Sequence, residues 1–283
     1  MIQKICVAGA GTMGSGIALV AAQSGFHTLL FDLSIDVLEK SKALIQTNIQ
    51  HLVTRQKINV DEAAIIFNSI QFISDASKCI ADLFIEAIIE KTEAKISLFN
   101  QLAAINSPES IFASNTSSLS ISDLQAAIIH PERVVGMHFF NPAPVMKLVE
   151  VVKGKQTDDA VAKRIYDLCL QLNKTPVICN DAPGFIVNRI ARHYYLEAMK
   201  IVESGIASIE DVDALMEASG FKMGPFKLMD LIGLDVNLAV SKSMYEAFDH
   251  AERFAPSPLQ EAKVAKGELG KKTGSGFYSY DAE

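Results

Sequence analysis

Val7-Ala8-Gly9-Ala10-Gly11-Thr12-Met13-Gly14-Ser15-Gly16 decides the fold of this chain. The run from Ile2 to Val7 that leads into it is apolar throughout, as a strand buried on both faces would be. The glycines then fall where a dinucleotide loop needs them. Gly9 makes the tight turn out of the strand, Gly11 lets the backbone approach a pyrophosphate, and Gly14 allows close packing of helix on sheet. Thr12 and Met13 complete the loop and open a helix that runs to about Ser24, where Gly25 ends it. Phosphates would sit at the N-terminus of that helix, where unpaired N–H groups and the helix dipole favour negative charge. His27 to Asp32 follows as a second strand, and Asp32 stands 18 residues beyond Gly14. A carboxylate there can accept from both ribose hydroxyls of NAD and would repel a 2′-phosphate. Leu33 and Ser34 bring no cation to offset that repulsion, so the cofactor reads as NAD, not NADP.

Working outward, strand and helix patterns alternate. Ser34 can N-cap a long amphipathic helix that runs towards Arg55 and Lys57. Further strands fit Ile70–Ile73, Leu83–Ala87, Ile111–Ser114, Val134–Phe139, Leu148–Val152 and Thr175–Cys179. Helices fit Thr92–Ala104 and a stretch from Asp158 behind a Thr157 cap. This alternation implies an α/β fold, a Rossmann-like doubly wound, mostly parallel sheet. At Asp181-Ala182-Pro183-Gly184 the pattern breaks. Beyond it the segments Phe185–Glu203, Ile209–Ala218 and Phe226 to about Phe248 read as helices, with Ser208 and Asp211 as a capping box. The expected division is 1–181 for the NAD-binding domain and 182–283 for an all-helical C-terminal domain. In the latter, Phe226, Leu228, Met229, Leu231, Ile232 and Leu234 read as core ahead of subunit interface.

Composition narrows the function classes. Of 283 residues 49% are hydrophobic and 21% charged, which is ordinary for a globular protein and excludes wholesale disorder. A net charge of −7 argues against nucleic-acid binding, which needs a basic face. No Asp, Glu, Lys or Arg occurs between Lys4 and Asp32, but five glycines with Gln23 and His27 make that window too polar and too broken for a membrane span. It also lacks the form of a secretory signal. Cys6, Cys79, Cys169 and Cys179 form no CxxC pair and no histidine cluster has metal spacing, so no metal site is expected. Cys6 reads as a buried thiol, which suits the reducing cytoplasm.

Among six histidines, His138 in Gly136-Met137-His138-Phe139-Phe140-Asn141-Pro142 lies at a strand end, where open α/β sheets bind ligands. Imidazole titrates near neutrality and can serve as a base. Glu150 falls in the next strand, and two adjacent strands could bring its carboxylate against His138 to fix the tautomer. From spacing alone, a His near a strand end is more often structural or merely exposed. Ser114-Asn115-Thr116-Ser117-Ser118 is either a turn with a helix cap or a row of polar groups facing a ligand carbonyl. Asn188, after the domain break, is either a solvated helix residue or faces a cleft.

GAGTMGSGIA, EAIIEK, SNTSSLSI, HFFNPAPVMKLVEVV, PGFIVNR, GPFKLMDLIGLD and KKTGSGFYSY occur in this order over nearly the whole chain. Together they resemble the 3-hydroxyacyl-CoA dehydrogenase family, and most of all its short bacterial 3-hydroxybutyryl-CoA members. The resemblance implies NAD-dependent, reversible oxidation of an (S)-3-hydroxyacyl-CoA thioester. His138 would be the base on the 3-hydroxyl, Glu150 its partner, Ser117 a contact to the 3-oxygen and Asn188 a substrate contact. Glu90 and Lys95 would lie near the nicotinamide half, with Asn115, Ser117 and Asn141 also in the cofactor set. Arg55, or Lys57 in its place, would meet the CoA phosphates. A homodimer through the C-terminal domain is implied too. Ser275 departs from the Arg that relatives often carry, which touches a tail contact and not the chemistry. No hydratase-like stretch accompanies these motifs, so the resemblance implies the free-standing enzyme and not the multifunctional one. Two other readings share the fold: an NAD-dependent dehydrogenase of a free 3-hydroxy acid, whose relatives typically use a catalytic Lys, and a catalytically idle NAD-binding protein.

Overall fold

The computed structural model describes residues 2–280; residues 281–283 of the expected second domain lie outside them. The chain divides into two compact units between Ala182 and Pro183.

The first unit carries β1 (Lys4–Ala8), β2 (His27–Phe31), β3 (Ile70–Ile73), β4 (Leu83–Glu86), β5 (Ile111–Ser114), β6 (Val134–Phe139), β7 (Leu148–Lys153) and β8 (Thr175–Asn180) in one sheet of order β3-β2-β1-β4-β5-β6-β7-β8. Neighbours pair parallel except β6 and β7, which run antiparallel. Strand order therefore reverses between β1 and β4. The carboxyl ends on either side of that reversal frame the crevice where such sheets bind ligands. Helices α1 (Thr12–Gln23) and α6 (Asp159–Gln171) pack in one apolar core with the strands, which explains why β1, β4 and β5 are mostly hydrophobic. Ser34 caps α2 (Ile35–Thr54), accepting from the N–H of Val37 at 3.4 Å.

Several local expectations need correction. A helix α3 (Val60–Asn68) follows α2, opened by an Asn59–Glu62 capping box that the reading above did not mark. Helix α4 (Thr92–Ala103) lies where expected, whereas the short α5 (Ile121–Gln125) before β6 was not marked. Asp158, not Thr157, caps α6. Thr157 is buried, and its hydroxyl donates to the carbonyl of Val134 at 2.7 Å.

The second unit is helical: α7 (Val187–Glu203), α8 (Ile209–Ala218), α9 (Pro225–Ile232), α10 (Leu234–Ala247) and α11 (Pro258–Ala265). The single helix expected from Phe226 to Phe248 is two helices, because Gly233 takes φ 104°, outside the helical range, between them. Phe226, Met229 and Leu234 are core as expected, but Leu231 and Ile232 are exposed. Ser208 caps α8 through the N–H of Asp211, while the Asp211 carboxylate accepts from the Ser208 hydroxyl instead of its backbone. Two buried carboxylates organise the unit. Asp213 accepts from the N–H groups of Phe226 and Lys227 at the start of α9 and from the Tyr278 hydroxyl. Asp230 accepts from the N–H groups of Phe277 and Tyr278 and from the Tyr280 hydroxyl, pinning the tail. Among the described residues no helix is long and apolar enough to cross a membrane.

Candidate functional site

The glycine turn has the shape its sequence demanded. A Cβ on Gly14 would lie 1.7 Å from the carbonyl oxygen of Gly9, and one on Gly9, at φ 100°, would lie 2.5 Å from that of Ala87. Both positions are glycine for the fold's own sake. Gly11 differs: its φ of −68° suits any residue, and an added Cβ would meet nothing within 4 Å. Neither backbone nor packing asks for glycine there, whereas a ligand lying on the backbone does. Asp32 lies just past β2, one carboxylate oxygen accepting from Ala10 N–H and the other from Ser34 N–H, each at 2.9 Å. Each oxygen keeps a further lone pair for a ribose hydroxyl.

On the far side of the reversal, β4 ends in Glu86, fully buried, in register between Ala8 of β1 and Ser114 of β5. One Glu86 oxygen accepts from the Lys95 ammonium at 2.6 Å and from Ile88 N–H at 2.7 Å; the other accepts from the Ser114 hydroxyl at 2.7 Å. Lys95 also meets Glu90 at 3.0 Å. Glu90 accepts from the Thr116 hydroxyl, from Ser117 N–H at 3.1 Å and from the Ser118 hydroxyl at 3.1 Å. Burial pushes Glu86 above the ordinary carboxylate range, against the pull of Lys95 and its hydrogen bonds. At Glu90 burial acts the same way, but Lys95 and Thr116 outweigh it and hold the carboxyl low. Asn115 follows β5, and its side-chain oxygen accepts from Phe139 N–H at 2.9 Å, tying the ends of β5 and β6 together.

His138 and Glu150 stand directly opposite in the antiparallel β6–β7 ladder. Both are buried, at 6% and 1% exposure, and Nδ1 of His138 lies 2.7 Å from a Glu150 oxygen. The Phe140 ring packs on the imidazole with centroids 4.4 Å apart. Asn141 is exposed at the start of the β6–β7 connection, which joins Pro142 through a cis peptide bond. Lys174 fastens that connection: its buried ammonium donates to the carbonyls of Ala143 at 2.5 Å and Met146 at 2.9 Å.

Residues 4–182 match the model of the 3-hydroxyacyl-CoA dehydrogenase NAD-binding domain, and residues 184–280 match that of the C-terminal domain. The chain belongs to the 3-hydroxyacyl-CoA dehydrogenase family. It is 46% identical over 284 residues to a 3-hydroxyadipyl-CoA dehydrogenase of Escherichia coli, all of this chain but only 60% of that protein's length. It is 41% identical to a probable 3-hydroxybutyryl-CoA dehydrogenase of Deinococcus radiodurans, over 98% of this chain and 100% of the relative. The solved structure of (S)-3-hydroxybutyryl-CoA dehydrogenase from Ralstonia eutropha covers 100% of both chains at 36% identity, with a TM-score of 0.95.

This 3-hydroxyacyl-CoA dehydrogenase family member is thus of an NAD-dependent class, and the open approach at Gly11 with Asp32 beyond it fits that cofactor. The first unit gathers Glu90, Lys95, Ser117 and Thr116 into one network, and His138 with Glu150 into one pair. It leaves Arg55 and Lys57 exposed in the turn after α2. Asn188 belongs to the second unit, as the second residue of α7. The residues missed from sequence are Glu86, Phe140 and Lys174; Thr116 stood in the polar cluster but without a role of its own. For Glu86 a signal existed: a lone carboxylate inside Leu83-Phe84-Ile85-Glu86-Ala87-Ile88 is a charge in a run that must be buried, and such charges are almost always paired.

Proposed function

We propose that this chain oxidises (S)-3-hydroxyacyl-CoA thioesters, 3-hydroxybutyryl-CoA among them, to 3-oxoacyl-CoA, and runs the reverse reaction. The observation that carries the reading is the buried His138–Glu150 pair at 2.7 Å. NAD, when bound, supplies the hydride acceptor for C3. With Nδ1 engaged by Glu150, Nε2 is the nitrogen that takes the proton of the 3-hydroxyl, and the carboxylate stabilises the imidazolium that forms. Base catalysis of this kind contributes about 10²–10⁴-fold. In reduction the imidazolium returns the proton. Ser117 contacts the 3-oxygen, held in place by the bond from its N–H to Glu90. Asn188 contacts the substrate, and Asn141 supports the site beside His138. Gly9, Gly11, Thr12, Met13 and Gly14 receive the pyrophosphate, Asp32 the adenosine ribose, and Glu90, Lys95 and Asn115 the nicotinamide half. Arg55 meets the CoA phosphates, with Lys57 able to take its place; both are exposed, as a contact to a phosphate tail requires.

We assign a homodimer through the C-terminal unit, on the exposed apolar side chains of Leu215, Phe221, Leu231, Ile232 and Val236, and a cytoplasmic setting, on four free cysteines. Light scattering tests the dimer; a monomer at micromolar concentration would refute it. The activity is tested by NADH consumption with acetoacetyl-CoA, run beside free acetoacetate and beside NADPH. Turnover is expected with the thioester and NADH only. Comparable turnover of the free acid would replace this reading with a free-acid dehydrogenase. NADH binding without turnover of any short, long or dicarboxylic acyl-CoA would replace it with an idle binding protein.

A further inference from the structure

We infer that the Glu86–Lys95–Glu90 triad biases the bound cofactor towards its oxidised form, with Glu86 supplying the carboxylate that leaves the triad net negative. The inference rests on the cofactor reading above and extends it to a residue which that reading does not use.

Lys95 needs one counter-ion and has two, at 2.6 Å and 3.0 Å. Glu90 alone would pair it, because Glu90 is also the member that reaches Thr116, Ser117 and Ser118. Glu86 is the costly one: no part of it is exposed, and burying a carboxylate is unfavourable unless it is fully bonded. Its bonds do not call for charge. Accepting from an ammonium, a hydroxyl and a backbone N–H is work that a glutamine's carbonyl oxygen and a rotated Ser114 hydroxyl could share. What the carboxylate adds is one negative charge. Burial raises its pKa, and the Lys95 ammonium at 2.6 Å, with the N–H of Ile88, works against that rise and favours the ionised form.

Its place in the fold says what that charge faces. Strand order reverses between β1 and β4, and Glu86 ends β4. The peptide that follows it, Ala87–Ile88, is the surface against which the Gly9 turn is pressed, and Glu86 holds the Ile88 N–H of that peptide. A dinucleotide with its pyrophosphate on the glycine turn and one ribose at Asp32, beyond β2, must lay its other half over the ends of β4 and β5. That half is the nicotinamide. Its ring carries a positive charge in NAD⁺ and none in NADH, so a net charge of −1 beside it favours the oxidised form. The low-dielectric surroundings of Glu86 strengthen the effect.

The test is the ratio of two dissociation constants, Kd for NAD⁺ over Kd for NADH. NADH is titrated by its fluorescence and NAD⁺ by calorimetry, in the parent chain, Glu86→Gln and Glu90→Gln. Removal of one charge should raise the ratio about tenfold, the order expected for a unit charge at nanometre range in an effective dielectric near 20. A residue that only held the loop in shape would weaken both forms alike and leave the ratio unmoved. Glu90 is partly exposed, so Glu90→Gln tests the net charge of the triad if Glu86→Gln does not fold. Ratios within about twofold of the parent in every folded variant overturn the inference alone. A parent chain that binds neither nucleotide overturns the cofactor reading and the inference with it.

Discussion

Replacing Glu150 by Gln is the sharpest probe of the proposed chemistry, because it removes a charge and almost no volume. Glu150 is buried and lies 2.7 Å from Nδ1 of His138. A hydrogen bond to a charged group contributes about 1.5–3 kcal/mol. Two unit charges about 4 Å apart interact by about 4 kcal/mol at an effective dielectric near 20. The imidazolium formed during oxidation would therefore lose about 3–4 kcal/mol of support. At about 1.4 kcal/mol per decade, kcat should fall about 10²–10³-fold. The amide adds a second defect, since its N–H group facing Nδ1 favours the tautomer with the proton on Nε2. Affinity for NADH and for acyl-CoA should change less than about threefold, because the effect is confined to the transition state. The assay is steady-state NADH consumption with acetoacetyl-CoA. Cys179 supplies an independent check on the charge. Burial, then Glu150, then Asp181 push its thiol up to about 11. Glu150→Gln should lower that value, read as earlier thiolate absorbance on alkaline titration, with a Cys179→Ser background subtracted. A kcat within threefold of the parent would refute the reasoning about the pair, and an unmoved Cys179 would show that Glu150 carries no charge to lose.

Three further outcomes follow from the same structure. His138→Ala should leave NADH affinity nearly intact and lower kcat by about 10²–10⁴-fold; near-parental turnover would sink the base assignment. Gly11→Ala and Gly14→Ala should separate ligand from fold. Gly11→Ala unfolds at the parental temperature or slightly above, yet binds NADH at least tenfold more weakly. Gly14→Ala forces a Cβ to 1.7 Å from the Gly9 carbonyl and loses about 1–3 kcal/mol or more in urea unfolding. Unchanged NADH affinity in Gly11→Ala would contradict the pyrophosphate reading. Tyr278 and Tyr280 titrate well above the ordinary phenol range, through burial first and then their bonds to Asp213 and Asp230. A folded-state pKa above the unfolded one means stability held in full below about pH 10 and lost as pH rises further. Urea midpoints should therefore fall above pH 10, and Tyr278→Phe with Tyr280→Phe should flatten that fall; an identical decline in the double variant would remove these phenols as its cause.

The parts of the fold legible in the sequence are those governed by neighbours along the chain. The β1 turn, α1 and Asp32 lie within one short stretch, and most strands of the first unit are local, mainly apolar runs. Helix α3 escaped notice because it buries no residue fully and so shows no strong core face, although its Asn59–Glu62 cap was there to be seen. The break at Gly233 was hidden because apolar residues continue across it from Leu231 to Leu234. Nothing within the segment around Lys174 indicates that its ammonium fastens carbonyls about 30 residues away. Asp213 and Asp230 are similar cases. Their partners at Tyr278 and Tyr280 are 65 and 50 residues off, and a lone Asp on a helix normally reads as solvated.

The His138–Glu150 pair depends on one topological choice that local patterns do not express. In a parallel pair the two strands would need a crossover of a dozen or more residues. Here β7 reverses direction, so the chain returns after a short connection and sets two residues 12 apart face to face. Directly opposed residues on one face have Cβ atoms about 4.5–5.5 Å apart, the spacing at which an imidazole and a glutamate side chain can meet edge to edge. The same reversal makes the connection responsible for both members at once, since it leaves β6 just after His138 and enters β7 just before Glu150. A buried ammonium at Lys174 is costly, and no carboxylate pairs with it among the described residues; burial, followed by Lys147, lowers its pKa. Its two bonds go to carbonyls of this connection alone. The expense is intelligible if what must be held still is not the loop itself but the alignment of the two strands it joins.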